Sequence, residues 1–186
     1  MALFMLPALE HFLTPLSYDT EETPNFITSK EEHEQMIRYR RPKQDDPIIY
    51  ELIHEELVPF SHLPPKELNT VLHDLPKRLS RGVTLVASPY YEADPVAFIH
   101  FMVHGELLYI DMMAVAPAHR RKCHGKTLMA HAENFAGSRG CKRSKVMVDR
   151  ENTKAHMFYR KLGYQTKRYI QLSQCHELEK GLLVRH

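Results

Sequence analysis

The sequence predicts an α/β domain, and three observations carry that prediction. From Met36 onward, short runs of alternating apolar residues are interspersed with apolar stripes at helical spacing, as expected of strands and helices that share a core. Two of the strand-like runs, residues 96–103 and 106–115, are separated only by His104-Gly105, a tight-turn pair that makes them a hairpin. The second of these runs then leads through a basic turn into an apolar-faced helix. The balance of 43% hydrophobic and 26% charged residues over 186 positions is that of one globular domain with a sizeable core.

Residues 1–34 are irregular, because Pro7, Pro15 and Pro24 interrupt any long helix. Their apolar start lacks a basic leader and a small-residue cleavage site, so we read it as a packing arm, with the domain proper at 35–186. Residues 36–40 alternate and form a first strand. Asp45-Asp46-Pro47 gives a cap-like start to a helix along which Ile49, Leu52, Ile53 and Leu57 recur. Pro64-Pro65 opens a second helix whose Leu68, Val71, Leu72, Leu75 and Leu79 form one stripe, ended by Arg81-Gly82. Residues 83–88 are a strand, followed by the hairpin, which Pro117 stops. Beyond the basic turn, Leu128, Ala132, Phe135 and Ala136 share a helix face. Residues 145–148 are a strand, 152–162 a helix halted by Gly163, and 164–172 and 181–184 the last strands.

Several function classes are excluded by this reading. The apolar runs are too short to span a bilayer, so no membrane role is expected. Three cysteines make no disulfide framework and point to a reducing, cytoplasmic setting. Arg120–Lys126 and Lys142, Arg143 and Lys145 form a basic group, but an isoelectric point near 8.4 is too mild for a nucleic-acid binder. Cys123-His124, Cys141 and Cys175-His176 contain no paired metal spacing, so no metal is expected. The thirteen histidines find no account in composition.

A strand, a basic turn and a helix start together form a site for phosphate. Unpaired amides at the helix N-terminus point outward, the helix dipole favours negative charge there, and cationic side chains add to both. One glycine, Gly125, makes no Walker or dinucleotide fingerprint. In order, however, Val115-Ala116-Pro117-Ala118-His119-Arg120-Arg121-Lys122-Cys123-His124-Gly125-Lys126-Thr127-Leu128 resembles the acetyl-CoA signature of the GNAT superfamily of N-acetyltransferases, V-x-P-x-x-R-G-x-G-x-G-x-x-L. Val115, Pro117, Arg120, Gly125 and Leu128 match. A second block, Asn152-x-x-Ala155-x-x-Phe158-Tyr159-x-Lys161-x-Gly163-Tyr164, is similar to the family's N-x-x-A-x-x-x-Y-x-K-x-G-F, in the family's order and separation. The resemblance runs from about Met36 to the C-terminus.

The resemblance implies a mixed α+β fold, with a mostly antiparallel sheet splayed between its fourth and fifth strands, here 106–115 and 145–148. It implies acetyl-CoA as co-substrate, with the pantetheine lying in the splay against the backbone of Met113, Ala114 and Val115. A backbone N–H there would polarise the thioester carbonyl. The pyrophosphate would rest on Arg120, Arg121, Lys122, Cys123, His124, Gly125 and Lys126. Acetyl would pass to the amine by direct attack in a ternary complex, with no acyl-enzyme. Tyr159 falls on the family's tyrosine and would protonate the departing thiolate. Alternation places Tyr109, Asp111 and Met113 on one face of the fourth strand, which offers Asp111 as base, as ammonium ligand or as a structural hydrogen-bond acceptor. Asn152 would cap its helix or bond the pantetheine. Arg121 and Cys123 stand where the family has glycine; at Cys123 the expectation is a small side chain packed toward the core, with a functional thiol as the rival. The acceptor, a small-molecule or peptide amine, is not legible, although Glu51, His54, Glu55 and Glu56 give one helix an acidic face. A homodimer is compatible with the sequence. The rival reading is a non-catalytic acyl-CoA-binding module of the same fold.

Overall fold

The predicted strand–helix alternation is realised in one continuous sheet flanked by helices. The computed structural model describes residues 36–182. In chain order the elements are β1 (Met36–Tyr39), α1 (Pro42–Glu56), a 3-10 turn (Val58–Phe60), α2 (Pro65–His73), α3 (Leu75–Leu79), β2 (Val83–Ser88), β3 (Ala97–His104) and β4 (Leu107–Val115). A second 3-10 turn (Pro117–His119) leads to α4 (His124–Gly137), β5 (Arg143–Asp149), α5 (Thr153–Lys161), β6 (Gln165–Ile170) and β7 (Cys175–Gly181). The sheet order is β1-β2-β3-β4-β5-β7-β6. Every neighbouring pair is antiparallel except β4 and β5. The expected N-terminal arm and the end of the expected 181–184 strand lie outside the described residues. No helix among the described residues is long and apolar enough to cross a membrane.

Both faces of the sheet are covered, which is why all six residues of β2 are buried. On one face Leu85, Ile99, Phe101, Ile110, Val146 and Val148 pack against Leu128 and Ala132 of α4 and Tyr159 of α5. On the other, Val86, Phe98, Met112 and Ala114 pack against Ile49, Leu52 and Ile53 of α1 and Leu75 and Leu79 of α3. The stripes read from the sequence for α1 and α4, and the Leu75 and Leu79 end of the second stripe, are the sheet-facing sides of these helices, whereas Leu68 and Val71 of α2 stay outside both clusters.

Three element readings change. Helix α1 begins at Pro42, not at Asp45: a proline fits a first turn that has no use for its N–H. Asp45 instead accepts from the backbone N–H of Arg41 at 2.6 Å and pairs with Arg38 at 2.6 and 2.9 Å, fully buried. The second expected helix is two, broken at Asp74, because Pro76 cannot donate to the preceding turn and starts a new one. The last described strand, Cys175–Gly181, precedes the expected 181–184 and meets it only at Gly181. Its charged residues hid it, yet they are paired across the sheet: Lys145 meets Glu177 at 3.1 Å and Glu179 at 3.0 Å.

Two irregularities shape the centre. The parallel β4–β5 ladder stops at Ile110 and Val146, while the strands continue to Val115 and Asp149, so they splay at their C-terminal ends. In the β3–β4 ladder, His100 pairs with Met112 and Phe101 with Ile110, leaving Asp111 as the extra residue of a β-bulge.

Candidate active site

The open end of the splay gathers the C-termini of β4 and β5 and the N-termini of α4 and α5. Within the basic turn, Arg121 and Cys123 have φ of 61° and 62°. These two residues replace the glycines of the motif, and the backbone keeps the left-handed shape glycine would have given it. Such a conformation costs a non-glycine residue about 1–2 kcal/mol. Cys123 is exposed, which corrects the expectation of a sulfur packed toward the core. Its side chain makes no capping hydrogen bond to α4. Arg121, Lys122 and Lys126 are exposed and form no ion pair among the described residues. Gly125 is half-buried; a Cβ there would lie 3.3 Å from Phe158 and 3.7 Å from Val115, so glycine lets α4 close against both. Burial, reinforced by His119 and Lys122, holds His124 below the usual histidine range.

Arg120 is the cation of the turn that is engaged. Its Nε donates to the Val115 carbonyl at 3.2 Å, and its guanidinium pairs with Glu56 of α1. Of the backbone positions expected along the pantetheine, Ala114 is buried and Met113 and Val115 half-buried. Glu51 and Glu55 of the acidic helix face, with Tyr50, His54, Leu72 and Leu75, line a cavity of about 420 Å³ between α1 and α2–α3.

Asp111 keeps the side it shares with Tyr109, as the strand parity gives, and there it faces α3, where Arg78 grips both carboxylate oxygens, one at 2.8 Å. The bulge moves Met113 instead, which sits opposite Ile99. Asp111 is 1% exposed, and its oxygen lies 3.9 Å from Nε2 of the buried His100. The carboxylate is therefore one half of a buried ion pair and not an isolated base. Arg78, the missed partner, carries no local signal, since a lysine- and arginine-containing helix end reads as solvated.

Tyr159 is fully buried between Phe158 and Tyr164, and burial pushes its hydroxyl well above the usual phenol range. Asn152 takes the capping role: its Oδ1 accepts from the Ala155 N–H at 3.0 Å. Just before it, at the end of β5, Asp149 stands with His62, from the loop between the first 3-10 turn and α2; the His62 Nε2 is 2.8 Å from Asp149 Oδ2. Neither residue was singled out from the sequence, because nothing local links positions 62 and 149.

Comparison with known proteins places this geometry. Residues 47–164 match the family model described as acetyltransferase (GNAT) family. Streptothricin acetyltransferase of Streptomyces lavendulae is 35% identical over 68 residues, 37% of this chain. The match spans only 36% of that curated relative's length. Among solved structures, Ard1 from Thermoplasma volcanium superposes with a TM-score of 0.64 at 19% identity, covering 80% of this chain and 98% of that one. The PaiA N-acetyltransferase of Thermoplasma acidophilum, solved in complex with coenzyme A, gives 0.64 at 17% identity, covering 80% and 99%. At these identities the likeness to solved structures is one of fold.

Proposed function

This chain belongs to the GNAT acetyltransferase family, and we propose that it transfers an acetyl group from acetyl-CoA to an amine by direct attack in a ternary complex. The observation that carries the reading is the turn at the open end of the splay. Two non-glycine residues, Arg121 and Cys123, keep a left-handed backbone there despite its cost. Strain of this kind persists where the surroundings and the function require the shape.

In this reading the pyrophosphate rests on the first amides of α4 and on Arg121, Lys122 and Lys126, while Arg120 exchanges Glu56 for phosphate. The pantetheine runs along Met113–Val115, and a backbone N–H of that stretch polarises the thioester carbonyl. Tyr159 protonates the leaving sulfur. A phenol held above its usual range stays protonated until a thiolate forms beside it, as an acid must. Asp111 acts through its ion pair, fixing Arg78 and the bulge beneath the acceptor face. A cationic amine is drawn toward Glu51 and Glu55.

The test is calorimetry with acetyl-CoA, followed by a thiol-release assay over polyamines, amino acids, aminoglycosides and peptides. Streptothricin joins the panel because the relative's name supplies it. Heat on binding together with release that depends on one class of amine supports the reading. No heat at millimolar acetyl-CoA sinks it, and heat without turnover across the panel assigns the chain to acyl-CoA binding alone.

A further inference from the structure

We propose that His62, oriented by Asp149, accepts the proton of the attacking amine; the proposal rests on the acetyl-transfer reading above. Strand β5 leaves its ladder with β4 at Val146 and ends at Asp149, which places this carboxylate at the open end of the splay. Alternation puts Asp149 on the same face as Met147, which packs with Tyr109 and Cys175 away from α4 and α5. The Asp149 side chain is 3% exposed, and both its oxygens are used. Oδ1 accepts from the Glu151 N–H at 2.8 Å, and Oδ2 lies 2.8 Å from His62 Nε2. His62 retains 28% side-chain exposure, and its Nδ1 has no hydrogen-bond partner among the described residues.

A carboxylate 2.8 Å from Nε2 favours the proton on that nitrogen and leaves Nδ1 with a lone pair, so the ring can receive a proton on its solvent-accessible side. This is the division of labour in which an aspartate orients a histidine and balances the imidazolium that forms. Among the described residues, the other charged group facing the ring is Glu151, in the turn before α5, itself 3.7 Å from Arg150. Nitrogen and carboxylate at 2.8 Å are at hydrogen-bond separation, closer than the roughly 3.3 Å between two ligands of one tetrahedral zinc.

The step balances. The amine lone pair forms the C–N bond to the thioester carbonyl, and the amine proton passes to His62 Nδ1. Collapse of the adduct breaks the C–S bond, and sulfur leaves with the electron pair and takes the proton of Tyr159. Amide and free thiol are the products; His62 then releases its proton to water, and Tyr159 regains one.

Three measurements on the full chain test this. In wild type the acid limb of the kcat/KM profile should belong to His62. His62→Gln should remove that limb and lower kcat about a hundredfold or more, with acetyl-CoA affinity unchanged. Nitrogen-15 shifts of the His62 ring, read in protein without acetyl-CoA, should show the Nε2–H tautomer. Asp149→Asn should lose that preference and lower kcat more than it raises KM. A His62→Gln enzyme with normal rate and an intact acid limb overturns the proposal while leaving acetyl transfer standing. So does an Nδ1–H ring, or wild-type activity abolished by a chelator and restored by zinc. A wild type that binds acetyl-CoA and acetylates no amine overturns both readings together.

Discussion

At Cys123 a side chain occupies a backbone shape that suits glycine, and so does its neighbour but one, Arg121. Replacing either by glycine should raise stability by about 1 kcal/mol in urea titrations, since the left-handed penalty disappears. Affinity for acetyl-CoA should hold or improve in Cys123→Gly, and a large loss would mean that the sulfur contacts the cofactor in a way glycine cannot replace. Exposed Cys123 should also react with a thiol reagent in the free protein and be protected by bound coenzyme A. The buried pair Arg78–Asp111 calls for a different comparison. Arg78→Ala leaves a buried carboxylate without its partner and should cost about 3–5 kcal/mol. The double change Arg78→Met with Asp111→Leu should cost clearly less, because no charge is then stranded; equal costs would show that the pair's electrostatics contribute little.

The elements set which residues can meet. Helix α5 is short, capped by Asn152 and held to the sheet by Tyr159, so the proposed acid sits on a rigid support. Tyr159→Phe keeps the ring and removes the proton. It should lower kcat ten- to a thousandfold, with acetyl-CoA affinity near wild type and stability lowered by no more than about 1–2 kcal/mol. Normal turnover in that variant would reassign the acid. Strand β4 shows the opposite lesson. Its bulge takes Met113 off the face that alternation gave it with Tyr109 and Asp111, because one extra residue resets the period of two. A signal for such a bulge exists only in the partner strand's register, and no stretch of β4 read alone contains it.

Across the whole molecule, stability should fall in mild acid, and His100 is the main named contributor. Burial, opposed by Asp111, lowers His100 to about 4 from its ordinary 6.5. Between these values the unfolded chain binds a proton that the folded one refuses. The contribution is thus complete above pH 6.5 and is lost as pH falls toward 4. His104, His124, His131 and His156 are lowered in the same direction, with burial the largest cause in each. Urea titrations at pH 7.5 and pH 5 should show wild type losing more stability than His100→Gln, by about 2 kcal/mol at most. An identical loss in both would remove His100 from the account.

Residues close in sequence carried what could be read without a structure. The hairpin around Gly105, the stripes of α1 and α4, the strand–turn–helix at Arg120–Lys126 and the block from Asn152 to Tyr164 are all local patterns, fixed by backbone geometry and by periods of 2 and 3.6. They determined the fold class and singled out the turn to which the proposed reading assigns the cofactor's phosphates. Tertiary structure alone decided the rest. It stopped the β4–β5 ladder at Ile110 and Val146, brought Arg78 to Asp111, and set His62 from one loop beside Asp149 at the end of a distant strand. Electrostatic partners and ring orientations depend on through-space distances of about 3 Å, and chain separations of 33 and 87 residues give no periodic trace of them.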